Sequence, residues 1–491
     1  MNWIILLPIL IPLCGALYML GMRKLLSKGA VRTAVFCFVL AALCAVVAVD
    51  CSEDLSFTVL SIMPKLPIYF RVDDLGRLFA TLTVSMWMLS SLFSFRYMDH
   101  QERVTRYQIF SLLSLAALLG VCFSGNLITT YLFYEMMTLA TFPLVLHEQT
   151  KEAVSAGMTY LYYSVAGAFL GLIGIFFLYV NAEDSNQPGG ILAYVPGGFL
   201  KNADNKNGLL VVIFLMLIGL ACKAGMFPLH GWLPKAHPVA PAPASALLSG
   251  NITKMGVLFT IRVIFNAVGT DFLSGTWVQK ALLALSLTTV FLGSMLAFRE
   301  KMFKKRLAYS TVSQVSYCLT GIYLFSQTAM TGALLHVVFH SVIKNLLFLC
   351  AGAVIFTTGK TRVDELKGIG KKMPVTMWCF TLGGLSLVGI PPFSAFISKW
   401  YLATGAIETG LPVYRYLAPV ILLISALLTA GYLLSITVDA FFKNEEEETQ
   451  TGRRNWFLLL PLVLLAVATT VFGLFPNSLI RFITDYVFPI L

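Results

Sequence analysis

Two things are scarce in this sequence, charged side chains and closely spaced cysteines, and their scarcity excludes whole classes of protein. Only 12% of the 491 residues are charged, while 58% are apolar and the mean hydropathy is +0.81. That balance excludes a water-soluble fold and indicates a membrane protein. The nine cysteines include no CxxC pair, which argues against an iron–sulfur cluster, a zinc site or a disulfide framework. We therefore expect neither a cofactor nor a metal site.

The sequence also lacks the features of a cleaved signal peptide and of a nucleic-acid-binding protein. No basic stretch precedes the first apolar run, residues 3–20, and no small-residue cleavage site follows it, so this run is interpreted as a retained helix. The net charge of +11 resides mainly in short loops between apolar runs, where orientation in a bilayer explains it. We expect the lipid bilayer as surroundings and no nucleic-acid partner.

Apolar segments long enough to cross about 30 Å of hydrocarbon recur along the whole chain. Charged and Pro/Gly-rich breaks separate these segments. Together they predict an all-α integral membrane protein of about fourteen transmembrane helices. The predicted spans are 3–20, 31–49, 78–95, 107–123, 126–146, 157–180, 208–227, 245–268, 279–298, 307–325, 331–356, 374–401, 416–438 and 456–475. An even number of spans places both termini on the same side of the membrane.

Lys and Arg residues divide unevenly between the two sets of loops that this helix count defines. Alternate loops starting with the first contain twenty-two basic residues, and the opposite set contains eight. Cytoplasmic loops hold the excess of Lys and Arg in membrane proteins. We therefore expect a multi-pass protein of the cell (cytoplasmic or inner) membrane with both termini on the outer side.

Glu135 is the one acid that falls within a predicted span, about ten residues into its helix. At 1.5 Å per residue it lies near the midplane of the bilayer, where an ionised side chain costs at least about 2.5–3.5 kcal/mol. No cation stands three or four residues away on the same helix, so its partner must come from another helix. Two interpretations stay open here: a member of an ion path, or a buried ion pair that only locks two helices together.

Lys223 lies late in the seventh span, just before Gly225 and Pro228. A proline inside a membrane helix bends it, and such breaks are tolerated where they line a polar cavity. We expect Lys223 to pair with Glu135 and, if the pair can be made and broken, to hold and release a proton. The alternative is that Lys223 extends to the cytoplasmic headgroups.

Two more basic residues belong to the eighth span. Lys254 lies about ten residues into that helix, too deep for its side chain to reach either face easily. Arg262, eight residues further along, is nearer the outer face. We expect Arg262 to reach the interface and to stand outside the ion path.

His336, His340 and Lys344 follow one another at intervals of four residues in the eleventh span. That spacing places them on one helical stripe about 12 Å long. Histidines, which change charge near neutral pH, make a proton relay beside a deep lysine; a hydrogen-bonded core role is the alternative for each. A metal site is disfavoured because the stripe offers two imidazoles and no carboxylate or thiolate at ligand spacing.

The twelfth span contains GIPPFSAFISKW, in which Pro391 and Pro392 interrupt the helix and Lys399 follows. Helices 7 and 12 are thus both predicted to be broken, and broken helices at corresponding positions indicate an inverted-repeat transporter with its site near the midplane. We expect N-terminal helices 1–3 over residues 1–106, two inverted five-helix repeats over 107–268 (helices 4–8) and 279–438 (helices 9–13), and a C-terminal helix 14 with a short tail over 456–491.

Four segments together resemble a known family: the antiporter-like membrane subunits of respiratory complex I, Mrp-type sodium/proton antiporters and membrane-bound energy-converting hydrogenases. They are YEMMTLATFPL around Glu135, KAGMFPLHGWLPKAHPVAPAPASALLSG from Lys223, HVVFHSVIKNLLFL and GIPPFSAFISKW. The resemblance implies that a glutamate on helix 5 pairs with a lysine on helix 7, a lysine on helix 8 is central, and an ionisable residue on helix 12 opens outward. These roles fall to Glu135, Lys223, Lys254 and Lys399, with the stripe on helix 11 connecting the last two.

Two positions depart from patterns common in that family. Lys399 stands where one complex I member has glutamate, which favours an Mrp-like or hydrogenase-type homologue. Lys235 stands in LPKAHP, where many relatives have aspartate, and this leaves the partner contacts of that loop open.

The resemblance implies a proton-translocating membrane subunit of a multisubunit redox-driven complex, either complex I-like or of the membrane-bound hydrogenase type. Such a translocase subunit has no redox centre of its own. The alternative is an Mrp-type Na+/H+ antiporter subunit, and a third possibility is a scaffold whose buried pairs serve only assembly. The expected partners are other membrane subunits, including homologous antiporter-like or small Mrp-type subunits, and the transported ion is the proton or Na+.

Overall fold

The computed structural model describes residues 2–52, 55–182, 187–200, 206–443 and 455–491, and this part of the chain is almost entirely helical. Helices are numbered in the order of the predicted spans, with a and b for the two parts of an interrupted helix. They are α1 (Leu7–Gly21), α2 (Lys28–Asp50), α3 (Asp74–Tyr97), α4 (Val104–Cys122), α5 (Leu127–Val145), α6 (Lys151–Asn181), α7a (Lys206–Ala224), α7b (Leu233–Val239), α8 (Ala242–Val268), α9 (Trp277–Arg299), α10 (Phe303–Tyr323), α11 (Gln327–Thr358), α12a (Pro374–Val388), α12b (Ser394–Glu408), α13 (Tyr414–Phe442) and α14 (Trp456–Leu474).

Shorter helical turns complete the helical part at Asn2–Leu6, Met98–His100, Thr270–Leu273, Val363–Leu366, Ile369–Lys372 and 477–490. Each predicted span coincides with one helix or with one interrupted pair of helices. Three of the basic residues counted in the loops, Lys201, Arg453 and Arg454, lie outside the described residues.

Within the described ranges, eleven helices are long and apolar enough to cross a membrane. The predicted spans outside that set are α5, which carries Glu135 among threonines, α10, which is rich in serine and begins with basic residues, and α12, which is interrupted. A helix that faces other helices rather than lipid does not need to be apolar all round. The prediction of an all-α, multi-pass membrane protein is confirmed, and the count of fourteen crossings stays a prediction.

The centre of the bundle consists of α8, α10 and α11. Every residue of α8 is buried, and burial in α11 is continuous from Ala329 to Val354. By contrast, about a third of each of α1, α2, α13 and α14 is buried inside the bundle. The polar side chains of α8 and α11 are therefore shielded from lipid by other helices.

Helices 7 and 12 are both interrupted, as the sequence predicts. α7a is followed by Gly225 with φ of +76°, and α12a is followed by Gly389 with φ of +89°. A left-handed residue of this kind ends a helix, and glycine adopts it without the steric penalty of a Cβ. Pro228 and Pro391, a few residues later, lack the N–H that would let the helix resume at once.

A β-hairpin lies between α2 and α3, and the pattern of long apolar runs does not predict it. β1 (Ser56–Met63) pairs antiparallel with β2 (Leu66–Arg71). The N–H of Gly125, just after α4, donates to the Tyr69 carbonyl of β2 at 2.9 Å. Strands of six to eight residues are too short to produce the long apolar run of a membrane-spanning helix, so hydropathy does not indicate them.

Candidate functional site

Lys223 lies in the last turn of α7a, immediately before the interruption, and it is 1% exposed. Its Nζ donates to the Tyr160 hydroxyl at 2.7 Å and to Ser164 Oγ at 2.9 Å, both on α6. The same Nζ lies 4.4 Å from the centroid of the Tyr160 ring, whose quadrupole attracts a cation. The alternative in which Lys223 extends to the headgroups is therefore wrong.

Glu135 lies in the middle of α5, and its Oε1 is buried without a hydrogen-bond partner among the described residues. The charge of Lys223 acts on this carboxylate, but the Lys223 ammonium is bonded to the α6 hydroxyls and not to Glu135. The neighbouring Met136 and Leu139 are 50% and 63% exposed. The expected direct ion pair is thus not formed in the structure, and Glu135 lies close to the outer surface of the bundle.

Lys254 is completely buried at the centre of the bundle. Its Nζ lies 2.7 Å from His340 Nδ1 on α11, and it donates to the Ser249 carbonyl at 2.6 Å. Lys254 follows a π-helical turn, Leu248–Ile252, and π-turns of this kind occur frequently at functional sites. Within the turn, a Cβ at Gly250 would clash with an α11 side chain. The absence of that Cβ lets α8 and α11 approach closely enough for Lys254 to reach His340.

The contacts continue from His340 towards the second interruption. The rings of His340 and His336 are nearly parallel, with their centroids 5.8 Å apart, and His336 Nδ1 lies 2.9 Å from Ser398 Oγ on α12b. The His336 ring also stacks on Tyr317 of α10 at 5.3 Å, and Lys399 Nζ lies 5.2 Å from the Tyr317 ring centroid. In both histidines Nε2 is buried with no hydrogen-bond partner among the described residues. Each ring therefore has one nitrogen in a hydrogen-bond contact and one nitrogen without a partner in the described part of the chain.

Lys399, in the second turn of α12b, is bound by the end of α12a. Its Nζ donates to the Leu387 carbonyl at 2.7 Å and to the Val388 carbonyl at 3.0 Å. The last carbonyls of a helix have no intrahelical partner and carry the negative end of its dipole. A Cβ at Gly389 would lie only 3.0 Å from Lys399 Cδ. The interruption of helix 12 thus forms the binding site of its own lysine.

Lys344 extends in a different direction from the rest of the predicted stripe. It is completely buried and donates to the Leu307 carbonyl at 3.0 Å and to the Ser310 hydroxyl, both near the beginning of α10. The structure therefore brings Lys254, the two histidines and Lys399 into one series of contacts. Lys344 forms a branch from it towards α10.

The expectation that Arg262 reaches the membrane surface is wrong. Arg262 is 2% exposed, and its Nη2 lies 2.6 Å from Asp73 Oδ1. Asp73 caps the beginning of α3 by accepting from the Gly76 N–H at 2.8 Å. Burial by itself would raise the pKa of the Asp73 carboxyl, but the charge and hydrogen bond of Arg262, together with Arg71, hold it below its usual value. Arg262 is therefore one half of a buried ion pair that joins α8 to α3.

Several polar residues of the site are not among those that the sequence singles out. Tyr160 and Ser164 stand four residues apart in α6, a spacing that places both hydroxyls on one face of the helix, and this is a signal that the sequence offers. His237 of α7b is fully buried, its ring stacks on Phe348 at 4.7 Å, and neither ring nitrogen has a partner in the described part of the chain. The predicted spans place His237 in a loop, where an ionisable side chain is expected to be solvated, so the sequence gives no signal of its burial.

The described side chains include no group of three or more His, Cys, Asp or Glu that could hold a metal ion. The groups present in the site are carboxyl, ammonium, imidazole and hydroxyl groups, which hold and pass protons when they are enclosed in a membrane protein. Fold and site together define a class of protein: a multi-pass membrane protein with two interrupted helices, in which a series of buried ionisable side chains runs from α8 to the second interrupted helix.

Comparison with known proteins assigns the family. The family described as NADH:quinone oxidoreductase/Mrp antiporter, transmembrane, matches residues 124–429, and the chain belongs to it. The chain is 33% identical over 405 residues to NADH-quinone oxidoreductase subunit N of Desulforudis audaxviator, covering 79% of this chain and 78% of the relative. It is 29% identical over 481 residues to a Na(+)/H(+) antiporter subunit of Alkalihalophilus pseudofirmus, covering 96% and 94%. The resemblance inferred from the four segments is confirmed.

Two solved structures have the same fold over almost the whole chain. A chain of the membrane-bound sulfane sulfur reductase, an archaeal respiratory membrane complex, superposes with a TM-score of 0.85 at 24% identity, covering 98% of this chain and 96% of that one. A chain of the Mrp complex from Dietzia sp. gives a TM-score of 0.85 at 23% identity, with the same coverage. At this level of identity the likeness concerns the fold.

Proposed function

We propose that this chain is a proton-translocating membrane subunit of a multisubunit complex, and that protons move along Glu135, Lys223, Lys254, His340, His336 and Lys399. The relatives in its family are antiporter-like subunits of quinone oxidoreductases and Mrp antiporters, and the solved structures that share its fold are parts of membrane complexes. Its partners are accordingly other membrane subunits, including homologous antiporter-like subunits.

One observation supports this proposal above the others: the buried series of contacts from Lys254 to Lys399. Lys254 Nζ and His340 Nδ1 are 2.7 Å apart, the two imidazoles stack, and His336 Nδ1 is 2.9 Å from Ser398 Oγ, next to Lys399. All of these side chains except Lys399 are fully buried. If these residues served only assembly, apolar side chains would stabilise the helix contacts equally well, because a buried charge is stabilising only when it is well paired. Lysines and imidazoles without acid partners are instead suited to exchanging protons.

The distribution of Lys and Arg in the predicted loops supports a direction for the path. If both termini lie outside, α7a ends and α10 begins near the inner surface, and Lys223 and the Lys344 branch lie in the inner half. Lys399 then lies on the route to the outer side. In this arrangement His340 receives protons from Lys254 or Lys344, and His336 passes them to Lys399. The localisation that follows is the cell membrane, with both termini on the outer side.

Glu135 provides a means of coupling to a neighbouring subunit. Its unpaired carboxylate lies beside exposed apolar residues of α5, where an adjacent subunit would pack. A rearrangement at that contact would draw Lys223 from Tyr160 and Ser164 to Glu135. Two unit charges 4 Å apart attract by roughly 4 kcal/mol at an effective dielectric constant of about 20. Making or breaking this pair is thus sufficient to change the proton affinity of a neighbouring group about a thousandfold.

The two inverted repeats also belong to the proposal. Residues 107–268 and 279–438 each contain five helices, of which the fourth is interrupted after a glycine with positive φ. Helices 1–3, within residues 1–106, and the part 456–491 flank them. An inverted repeat would place the two interruptions on opposite halves of the membrane, which suits one as the site of proton uptake and the other as the site of release.

An Mrp-type Na+/H+ antiporter subunit is the second candidate, and one observation favours it. The match to the Alkalihalophilus antiporter subunit covers 96% of this chain, compared with 79% for the quinone oxidoreductase subunit. Ion flux in vesicles reconstituted with the assembled complex, measured with and without Na+, distinguishes the two. Proton flux that requires a Na+ gradient identifies an antiporter subunit, and proton flux driven by a redox reaction without Na+ identifies the first candidate.

The central test of the proposal replaces Lys254 by Ala and, separately, Glu135 by Ala. Each substitution is expected to stop proton transport while the complex still assembles, because each removes an ionisable group from the path. Proton flux into vesicles and the yield of assembled complex are the two measurements. Lys151→Ala, which removes an exposed ammonium at the beginning of α6, is the matched control. Normal flux in either path variant contradicts the proposal, and loss of assembly without a specific transport defect in Glu135→Gln identifies a scaffold.

A further inference from the structure

Tyr317 of α10 contacts two members of the proposed proton path, each on a different helix. Its ring stacks on that of His336 of α11, with the two planes 19° apart and the centroids separated by 5.3 Å. Lys399 Nζ of α12b lies over the same ring, 5.2 Å from its centroid. Tyr317 is fully buried, so water does not weaken either contact. The ring therefore touches both ends of the step in which a proton passes from His336 to Lys399.

Within the described part of the chain, no acid neutralises the positive charge in this step. The charges that act on His336 are those of Lys399 and Lys254, and both repel an imidazolium. Lys399, for its part, has no acid acting on it among the described residues. The polar atoms in contact with the two groups are uncharged: Ser398 Oγ for His336, and two main-chain carbonyls of α12a for Lys399. A proton that moves from one group to the other thus carries a positive charge through an enclosed region without a counter-charge on the described side chains.

The face of an aromatic ring can take the place of a counter-charge. Its π electrons give the face a negative potential that attracts cations within about 6 Å of the centroid, most strongly where water is excluded. The hydroxyl of Tyr317 is occupied elsewhere, because it donates to the Leu422 carbonyl of α13 at 2.9 Å. That bond fixes the orientation of the ring. The π face is thus the part of Tyr317 that is available to His336 and Lys399.

The same arrangement occurs a second time around Phe348 of α11, which has no hydroxyl. The ring of His237 stacks on Phe348 at 4.7 Å, and Lys344 Nζ lies over the Phe348 ring at 5.9 Å from its centroid. Phe348, His237 and Lys344 are all fully buried. An imidazole and a lysine share one ring in both places, and the feature common to Tyr317 and Phe348 is the ring rather than a hydroxyl.

Given the proposed proton path, on which this role depends, we propose that Tyr317 is a positioning residue of the last proton transfer. Its ring stabilises the positive charge first on His336 and then on Lys399. In this step a proton leaves the His336 imidazolium and binds the neutral amine of Lys399, and the positive charge moves with it. A carboxylate in the same place would accept the proton itself or retain the lysine as an ion pair. A ring does neither, so the charge remains free to leave.

Two substitutions separate the ring of Tyr317 from its hydroxyl. In the assembled complex, Tyr317→Leu is expected to lower proton flux about tenfold, because the charged groups lose their contact with the ring, whereas Tyr317→Phe is expected to keep most of the flux. Tyr323→Leu is the matched control with wild-type flux, since it removes an equally buried ring from the same helix. An equal loss in Tyr317→Leu and Tyr323→Leu overturns the proposal in favour of packing. Loss of flux in Tyr317→Phe overturns it in favour of proton transfer through the hydroxyl.

Fluorinated phenylalanines at position 317 test the ring with little change in its shape. A cation is attracted by the quadrupole of the ring, and each fluorine weakens that attraction by withdrawing electron density. Relative to Tyr317→Phe, flux is expected to fall stepwise as fluorines are added. The pH of half-maximal flux is expected to move to lower values by up to about one unit, because the protonated forms of His336 and Lys399 lose stabilisation. Flux and a pH profile that do not change along the series overturn the proposal.

Lys399→Met distinguishes a failure of this proposal from a failure of the proton path. Normal flux in Lys399→Met shows that the path is wrong, and the role of Tyr317 is then wrong as well. Loss of flux in Lys399→Met, together with fluorinated variants that behave like Tyr317→Phe, supports the path and overturns the role of Tyr317 alone. Loss of flux in Lys399→Met and a stepwise decrease along the fluorine series support both.

Discussion

Lys223 and Lys399 each lie next to the interruption of their own helix, but different kinds of group bind their ammonium groups. Lys223 precedes the interruption of its helix and donates to two side-chain hydroxyls of α6. Lys399 follows the interruption and donates to two main-chain carbonyls at the end of α12a. The first lysine is therefore bound by side chains that a substitution can remove, whereas the second is bound by main-chain carbonyls, which a substitution leaves in place.

The difference suggests distinct roles for the two halves of the chain. Side-chain hydroxyls can rotate, and Glu135 lies near Lys223 as an alternative partner. The Lys223 ammonium can therefore be bound either by the hydroxyls of α6 or by the Glu135 carboxylate. The carbonyls of α12a are fixed, and no acid acts on Lys399 in the described part of the structure. We infer that the first half is suited to switching and the second to holding a proton until it is released.

Removing each ammonium is expected to have the largest effect. Lys223→Met and Lys399→Met should each reduce proton flux by about a hundredfold or more, equivalent to about 2.7 kcal/mol. Their effects on stability should differ. Lys399→Met leaves two buried carbonyls unpaired, at about 1–3 kcal/mol each, whereas in Lys223→Met the Tyr160 hydroxyl keeps its bond with Thr141 Oγ1 at 2.6 Å.

Thermal unfolding of the purified complex in detergent measures that difference, with Lys280→Met at the exposed beginning of α9 as the control. A lower Tm is expected for Lys399→Met than for Lys223→Met. Equal values of Tm would show that the two lysines are held in equivalent ways, which would contradict the distinction between side-chain and main-chain binding.

Removing one hydroxyl should have an intermediate effect. Tyr160→Phe deletes one of the two acceptors of Lys223, and flux should fall about tenfold because a hydrogen bond to a charged group contributes about 1.5–3 kcal/mol. Tyr162→Phe, on the same helix but 65% exposed, should leave flux unchanged. Proton flux in reconstituted vesicles is again the measurement. An effect of equal size in both variants would indicate that Tyr160 acts only through general packing of α6.

Breaking the Arg262–Asp73 pair should have the smallest effect on transport and a clear effect on stability. Asp73→Asn leaves a buried guanidinium without its counter-charge, which should lower the free energy of unfolding by about 3 kcal/mol while flux per folded complex stays normal. Asp271→Asn, an exposed position, is the control. Loss of flux in folded Asp73→Asn protein would instead place Arg262 in the path.

The same variant has a defined pH dependence. The pKa of Asp73 is lowered in the folded protein, so its contribution to stability is complete above the unfolded-state pKa of about 3.9 and is lost as the pH falls through the lower folded-state pKa. The difference in unfolding free energy between the wild type and Asp73→Asn should therefore be constant at neutral pH and shrink below about pH 4. Denaturation measured across that range checks the sign.

Much of the fold follows from local sequence. Each predicted span coincides with a helix, because a segment that crosses hydrocarbon must satisfy its backbone hydrogen bonds internally. The interruptions follow from Gly225 and Pro228 and from Gly389 and Pro391, since these residues act on their own backbone. The hairpin Ser56–Arg71 does not follow from such patterns, because its strands are short and are stabilised partly by the distant segment around Gly125.

The sequence by itself determined which residues are expensive to bury: Glu135, Lys223, Lys254, Lys344 and Lys399 stand out because few charges occur in apolar runs. Only the tertiary structure decided their partners. It joined Lys254 to His340, directed Lys344 to α10, bound Lys399 to the end of α12a, and paired Arg262 with Asp73, 189 residues away. The physical reason is that the cost of burying a charge is a property of one residue and its helix, whereas its compensation comes from helices that are remote in sequence and are brought near by packing.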